Sequence, residues 1–181
     1  MVKLAIAGVL GTAFLTTMLF ASYLPLETPS LPAAEAQPSG MTNIGCVEFD
    51  RNGEPIGERK CSNRNADDMH IAFKGSCTYY FTNNGEPIDG PSPEGPGPKC
   101  PEGSNDVTIV WSPDSGSITK IVWTKKGKEM GSMDPPREAD DFHLEGARIV
   151  LVTWTKGGMA DGDPIPAPAG SNSATFDVAF G

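Results

Sequence analysis

The sequence has few of the residues and motifs that carry catalysis. Only 2 of its 181 residues are histidine, and it contains no C-x-x-C pair, no G-x-S-x-G element and no Gly-rich phosphate-binding loop. One S-x-x-K match, at residues 117–120, reads as the start of a strand rather than of a helix. These absences argue against zinc ribbons, thioredoxin-type proteins and nucleophile-elbow hydrolases. We therefore expect a protein without enzymatic activity.

Basic residues are also in the minority. The chain has 14 Lys and Arg against 23 Asp and Glu, which gives a net charge of -9 at pH 7. Nucleic-acid binding needs clustered Lys and Arg that displace counterions from phosphate, and so does docking on an anionic membrane surface. Nucleic acid is therefore not an expected partner of this chain.

The one long apolar run lies at the start of the sequence. Residues 4–24 carry no charge over 21 positions, and a helix of that length rises about 30 Å, the thickness of a bilayer core. The A-x-A sequence at residues 34–36 has the form of a signal-peptidase site. Residues 1–26 are thus a retained transmembrane anchor or a cleaved signal. Both alternatives export the rest of the chain, as a linker over residues 27–43 and an extracytoplasmic domain over residues 44–181, periplasmic or extracellular.

Four cysteines in an exported chain predict two disulfides. Cys46, Cys61, Cys77 and Cys100 follow one another at spacings of 15, 16 and 23 residues, and three connectivities are open to them. We favour Cys46–Cys61 and Cys77–Cys100, because each pair closes one local loop. The Pro-rich stretch 91–103 is then a surface loop held by Cys100, and its counterpart 158–170 has no such tie.

The chain repeats its own pattern. Residues 47–111 align with residues 121–180 so that the two histidines coincide, in ADDMHI (66–71) and ADDFHL (139–144). The tripeptide Gly-Ser-Asn at residues 103–105 recurs at residues 170–172 in the same alignment. Because the features keep the same order in both halves, the pattern predicts an internal duplication.

Each half contains four short apolar runs rich in Val, Ile, Thr and aromatic residues. Asn52-Gly53 and Asn84-Gly85 are typical of hairpin turns, because both residue types tolerate positive φ. No stretch beyond the N-terminal run has helical periodicity over more than about two turns. We expect an all-β fold, a two-sheet β-sandwich with about four strands from each half around a pseudo-twofold axis. The three tryptophans are expected in its core.

The matching motifs raise the question of a metal site built from His70, His143, Asp67 and Asp140. Alternation with apolar neighbours places both histidines on the outward side of their strands. Each half brings too few convergent ligands for zinc or copper. The carboxylates are expected to accept backbone N–H bonds at turns instead. A duplicated scaffold therefore explains the motifs better than a metal site does, and no cofactor is expected.

Three methionines offer a second metal hypothesis. Met130, Met133 and Met159 could join His143 as soft copper ligands in an oxidising compartment. The alternative is that Met130 takes the place of Ile56 in the repeat and fills the core, which methionine does readily. We favour core packing.

Together these features indicate a binding protein. We expect a non-enzymatic accessory subunit that binds another protein and docks on a larger membrane complex, tethered through residues 4–24 if they are not removed. A soluble periplasmic or secreted protein that binds a ligand or a metal is the alternative, and a hydrolase comes third. The stiff Pro-rich loops suit docking at low entropic cost.

The length of the apolar run predicts that residues 1–26 stay attached to the mature protein. Membranes washed with carbonate should retain the chain, and detergent should release it. N-terminal sequencing that begins at Gln37 in carbonate-soluble material would show cleavage instead.

Overall fold

A computed structural model describes residues 42–88 and 97–181, and its secondary structure is entirely β. The apolar run, nearly all of the expected linker and the tip of the 91–103 loop lie outside the described residues. Within residues 42–88 and 97–181, no helix is long and apolar enough to cross a membrane. Two antiparallel sheets face each other, so the expected all-β sandwich architecture is confirmed.

The strands are β1 (Asn43–Arg51), β2 (Glu54–Pro55), β3 (Lys60–Cys61), β4 (Asp68–Lys74), β5 (Thr78–Asn83), β6 (Glu86–Pro87), β7 (Asp106–Ser112), β8 (Ser117–Lys125), β9 (Lys128–Met133), β10 (Asp141–Glu145), β11 (Arg148–Lys156), β12 (Met159–Ala160), β13 (Ile165–Pro166) and β14 (Ser173–Phe180). All eight apolar runs of the sequence form strands. Asn43, expected to end the linker, already belongs to β1.

The two sheets have the same topology. The first sheet runs β2-β1-β14-β10-β5-β6, and the second runs β9-β8-β7-β4-β11-β12. Replacing each of the six strands in the first order by its counterpart in the sequence alignment gives the second order, and β3 and β13 pair in addition with β1 and β11. Each sheet therefore contains two long strands from each half, and the halves are interleaved.

The pairing registers are also equivalent. Val47 lies opposite Phe176 in the first sheet, and its counterpart Ile121 lies opposite Ile109 in the second. In the same way His143 pairs with Thr175, and His70 pairs with Thr108. The alignment read from the sequence is thus the alignment of the strands in space.

The core lies between the sheets and is rich in aromatic side chains. Trp111 and Trp123 are each 2% exposed and Trp154 is 4% exposed, which confirms their expected positions. Gly45 allows β1 to pass close to this core. A Cβ on Gly45 would lie 2.6 Å from the Phe176 ring and 2.8 Å from the Trp111 ring, closer than real Cβ atoms approach.

Hairpin turns follow equivalent strands. Asn52-Gly53 and Asn84-Gly85 have positive φ angles of 54° and 83°, and of 49° and 76°. Both dipeptides are the two-residue turns that the sequence predicts. In the second half, residues 126–127 and 157–158 form the matching turns.

The two disulfides join the pairs favoured from the sequence. Cys46–Cys61 ties β1 to β3 with the Cα atoms 4.0 Å apart, and Cys77–Cys100 spans 5.4 Å. Both pairs are compatible with an oxidising, extracytoplasmic environment.

The loop at residues 158–170 has no disulfide, as expected, but backbone hydrogen bonds hold it in place. Cys100 N–H donates to the Cys77 carbonyl at 2.9 Å, and Ala167 N–H donates to the Val150 carbonyl at 3.0 Å in the equivalent place. β13 then pairs with β11. Backbone hydrogen bonds therefore hold the loop of the second half. The equivalent loop of the first half is held by a disulfide as well.

Replacing Cys77 and Cys100 together by Ala should lower the free energy of unfolding by about 3 kcal/mol, because the unfolded chain loses a loop constraint. Urea unfolding measures the difference. Thiol labelling of the unreduced, denatured protein should find no free cysteine, and four reactive thiols would contradict both disulfides.

Candidate functional site

The two Asp-Asp-x-His motifs lie on opposite outer faces of the sandwich. His70 is on β4 of the second sheet, and His143 is on β10 of the first. Their neighbours Met69, Ile71 and Leu144 are fully buried at 0% exposure, so both histidines point away from the core. Ligands on opposite faces cannot share one ion. In the part of the chain that the structure describes, no group of three or more His, Cys, Asp or Glu could hold a metal.

The first aspartate of each motif caps a turn of the neighbouring hairpin. Asp140 Oδ1 accepts the Asn84 N–H at 2.8 Å, and Asp67 Oδ1 accepts the Gly157 N–H at 3.1 Å. Asn84 and Gly157 are equivalent positions in the two halves. Asp67 and Asp140 therefore accept turn N–H groups, as the sequence suggested.

The second aspartate of each motif binds a threonine. Asp141 Oδ2 accepts the Thr82 hydroxyl at 2.8 Å, and Asp68 accepts the hydroxyl of Thr155, the counterpart of Thr82. In both places the motif belongs to one half of the chain and the hairpin to the other. Each Asp-Asp-x-His motif therefore connects the two halves of the chain through hydrogen bonds.

The pKa values of the two capping carboxylates, Asp67 and Asp140, shift in opposite directions. At Asp67, burial acts to raise the pKa, but hydrogen bonds from Lys156 and the Gly157 N–H outweigh it, and the pKa is lowered. At Asp140, burial raises the pKa, the Asn84 N–H opposes it and the charge of Asp141 adds to it. The counterpart of Lys156 is Asn83, which brings no positive charge to Asp140.

His143 is held by two threonines and one ring. The Thr175 hydroxyl lies 3.1 Å from Nδ1, and the Thr82 hydroxyl lies 2.9 Å from Nε2. Because Thr82 gives its proton to Asp141, Nε2–H donates to Thr82 and Nδ1 accepts from Thr175. Tyr80 stacks on the imidazole with ring centres 4.2 Å apart. Burial lowers the pKa of His143, against the opposing charge of Asp141, so the neutral ring is favoured.

His70 has a different neighbour. Its Nδ1 lies 3.0 Å from the Thr108 hydroxyl, the counterpart of Thr175, and 3.2 Å from Asp106 Oδ1. The hydrogen bond with Asp106 raises the pKa of His70 in spite of burial. The counterpart of Asp106 is Ser173, which is uncharged. This difference, together with Tyr80 beside His143 where Thr153 lies beside His70, distinguishes the surroundings of the two histidines.

A groove of about 500 Å³ lies beside His143 on the outer face of the first sheet. Asp50, Tyr80, Glu145 and Ser173 line it together with the histidine. Burial raises the pKa of Tyr80 to about 12, and the negative charge of Glu145 adds to the effect. The groove can therefore offer a protonated phenol and two carboxylates as hydrogen-bonding groups, whereas both nitrogens of His143 are already bonded to threonines.

The outer faces of the two sheets differ in charge at four equivalent positions. The first sheet has carboxylates at half-buried Glu48, Asp50 and Asp177 and at exposed Glu145. Their half-buried counterparts in the second sheet are uncharged: Val122, Thr124, Ala72 and Val110. Inspection for catalytic motifs missed this contrast. The alignment of the two halves already shows this contrast, because the alignment pairs each of these acids with an uncharged residue.

The methionines of the copper hypothesis do not meet His143. Met130 and Met133 are on β9 of the second sheet, and Met159 is 74% exposed. The expectation that Met130 fills the core is also wrong, because it is 41% exposed. A register shift opposite residues 123–124 makes Met130 the extra residue of β9. The S-x-x-K match at residues 117–120 lies at the start of strand β8, as expected.

Compared with protein-family models, with curated proteins and with solved structures, the chain matches none.

The two histidines should titrate on opposite sides of the ordinary value of 6.5. In proton NMR, His70 should have the higher pKa and His143 the lower. Protonated His70 stabilises the fold below its unfolded pKa, and this contribution is lost as the pH rises through its folded pKa. At His143, stability increases as the pH rises from the folded to the unfolded pKa.

Exchanging the residues at positions 106 and 173 gives two matched variants. Asp106→Ser should lower the pKa of His70, and Ser173→Asp should raise that of His143. If both histidines titrate above 6.5, or if neither responds to its exchange, the role given to residues 106 and 173 is wrong.

Proposed function

We propose that this protein is a non-enzymatic, exported binding domain that docks on another protein through the outer face of its second sheet. The observation that carries the proposal is the set of uncharged side chains at Val110, Val122 and Ala72. Each stands where the first sheet has a carboxylate.

A sheet face that meets water usually alternates apolar residues inward with polar residues outward. The first sheet follows this rule, so the scaffold accepts Glu48 and Asp177 without loss of the fold. The uncharged residues at their counterparts Val122 and Val110 are therefore not required by the strands. A partner that covers this face explains them, since apolar area gains free energy when it leaves water.

The acidic face of the first sheet would set the orientation of the complex. Asp177 and Asp141 lie directly opposite each other on neighbouring strands, and burial first, then the charges of Asp141, Asp140 and Glu48, raise the pKa of Asp177 to about 6 against the effect of Arg59. Like charges so close favour exposure to water over contact with an apolar surface. The more acidic first sheet then faces outward while the second sheet meets the partner.

Export and tethering complete the proposal. The apolar run at residues 4–24 would hold the domain at a membrane, where an accessory subunit meets a larger complex. The disulfides fit an oxidising compartment. We also propose an internal duplication as the origin of the fold. The equivalent registers and the two equivalent sets of Asp–Thr and Asp–turn hydrogen bonds support it.

A second candidate function is the binding of a small ligand in the groove beside His143. The stacked Tyr80 and the carboxylates of Asp50 and Glu145 favour a ligand with a flat ring or a cationic group. In this case the protein would be a soluble periplasmic or secreted binder.

Val122→Glu, which copies the counterpart Glu48, should abolish docking and leave the fold intact, because a carboxylate on a covered apolar face must be desolvated. Chemical cross-linking of the full-length chain in its native membrane measures the yield of the heterologous complex. That yield should fall at least about tenfold, since a buried unpaired charge costs several kcal/mol.

Glu48→Gln on the first sheet is the matched control and should leave the yield unchanged. A folded Val122→Glu variant that cross-links as well as the original chain would rule out the second sheet as the docking face. Loss of the complex in Glu48→Gln and not in Val122→Glu would move the site to the acidic face.

A further inference from the structure

The outer edge of β9 is open. β9 ends the second sheet and pairs with β8 on one side. Over residues 42–88 and 97–181, no backbone hydrogen bond reaches its other side. The strand has six residues, Lys128–Met133, and four of them are exposed. An unpaired edge is a template for pairing with another strand, and the bulge at Met130 divides this one into residues 128–129 and 131–133.

The equivalent edge of the first sheet is closed by proline. β2 has only two residues, and its Pro55 pairs with Asp50 as Glu129 of β9 pairs with Thr124. Proline has no N–H, and it fits here because this position directs its nitrogen away from the neighbouring strand. At Glu129 the same position presents an N–H to the outside. The halves thus differ in whether this edge can accept a strand.

The remaining edges are short. β3, β6, β12 and β13 have two residues each, and Pro87 ends β6. β9 is therefore the longest free edge in the part of the chain that the structure describes.

The charges along β9 are complementary to themselves when the strand is reversed. Exposed Lys125, Lys126 and Lys128 surround the turn before β9, beside a single acid, Glu129, and exposed Asp134 comes directly after the last residue of the strand. When two copies of β9 run antiparallel, the basic start of each lies beside the acidic end of the other. Twofold symmetry makes this contact twice. Gly131 and Ser132 in the second half of the strand carry small side chains.

We propose that β9 is a homodimer interface, in which β9 of two copies pairs antiparallel across a twofold axis. The two second sheets then form one continuous sheet. Because each copy contributes one long open edge, the assembly closes as a dimer and does not continue as a fibre. The outer faces of the two second sheets come to lie on the same side, although the dimer does not depend on the proposed docking function.

Isotope-mixed cross-linking tests the contact directly. The full-length chain is purified in detergent with natural nitrogen and, separately, with ¹⁵N; the two are mixed and treated with a carbodiimide, which joins an amine to a carboxylate in contact. Mass spectrometry should find mixed-isotope peptides that join Lys125, Lys126 or Lys128 to Asp134. If every link that involves Asp134 stays within one isotope, the proposed pairing is wrong.

Variants of β9 test whether this edge drives the association. Glu129→Pro copies the closed edge of β2 and should raise the dimer dissociation constant at least about tenfold, since a hydrogen bond is lost twice by symmetry. Lys128→Glu and Asp134→Lys should each raise it several-fold, because each breaks two exposed ion pairs. The double variant Lys128→Glu, Asp134→Lys reverses the pairs and should restore the original constant to within about threefold.

Sedimentation in density-matched detergent measures these constants, and circular dichroism checks each fold. A chain that stays monomeric up to about 100 μM contradicts the proposal. A dimer whose dissociation constant is the same in all the β9 variants also contradicts the proposal. Its contact would then lie elsewhere, as in the N-terminal run. If Glu129→Pro fails to fold, the surface charge variants still decide the question, since the double variant must bind more tightly than either single one.

Discussion

The fold depends on one constraint: neither half of the chain can bury its apolar residues alone. Each sheet takes two long strands from each half. The core forms where the sheets face each other, with Trp111 against Phe176 at 5.2 Å between ring centres and Tyr79 against Trp123 at 5.1 Å. Both contacts join residues far apart in the sequence. Such long-range pairing requires the halves to fold together, and folding of this kind is slow compared with that of locally connected proteins.

This constraint accounts for the repeated Asp-Asp-x-His motif. Interleaving creates two equivalent places where a strand of one half begins beside a hairpin of the other. At each place the aspartates bind the turn and the threonine of that hairpin, as Asp140 binds Asn84 and Asp67 binds Gly157. The motif occurs twice because this hydrogen-bonded contact between the halves occurs twice. The histidines sit two positions further along the same strands and face outward, where their surroundings have become different.

Outward positions and edges are where the two halves differ in chemistry. Inward-facing residues must fit the shared core, whereas outward ones meet only solvent or a partner. Glu48 against Val122, Ser173 against Asp106 and Pro55 against Glu129 are three differences of this kind. The first sheet is the more acidic and is closed by proline, whereas the second has uncharged residues at Val110, Val122 and Ala72 and is open at β9. The proposed docking face and the proposed dimer edge both belong to the second sheet, so one of the two sheets would carry both interactions.

The sequence by itself determined the features that depend on local chemistry. Alternation located all eight long apolar strands, the Asn-Gly pairs located two turns, and cysteine spacing identified both disulfides. It also aligned the two halves and placed His70 and His143 on outward sides. Each of these properties follows from residues that are close in the chain, where steric preference and side-chain direction decide the outcome.

Only the tertiary structure decided how the halves combine. Interleaving, the opposite faces of the two histidines and the open edge of β9 all depend on which distant strands pair, and strand pairing leaves no local mark in the sequence. Met130 is exposed because a register shift against β8 adds a residue to β9. The loop at residues 158–170 is held because its backbone pairs with β11. Backbone hydrogen bonds use the same groups in every residue, so the side chains alone do not predict them.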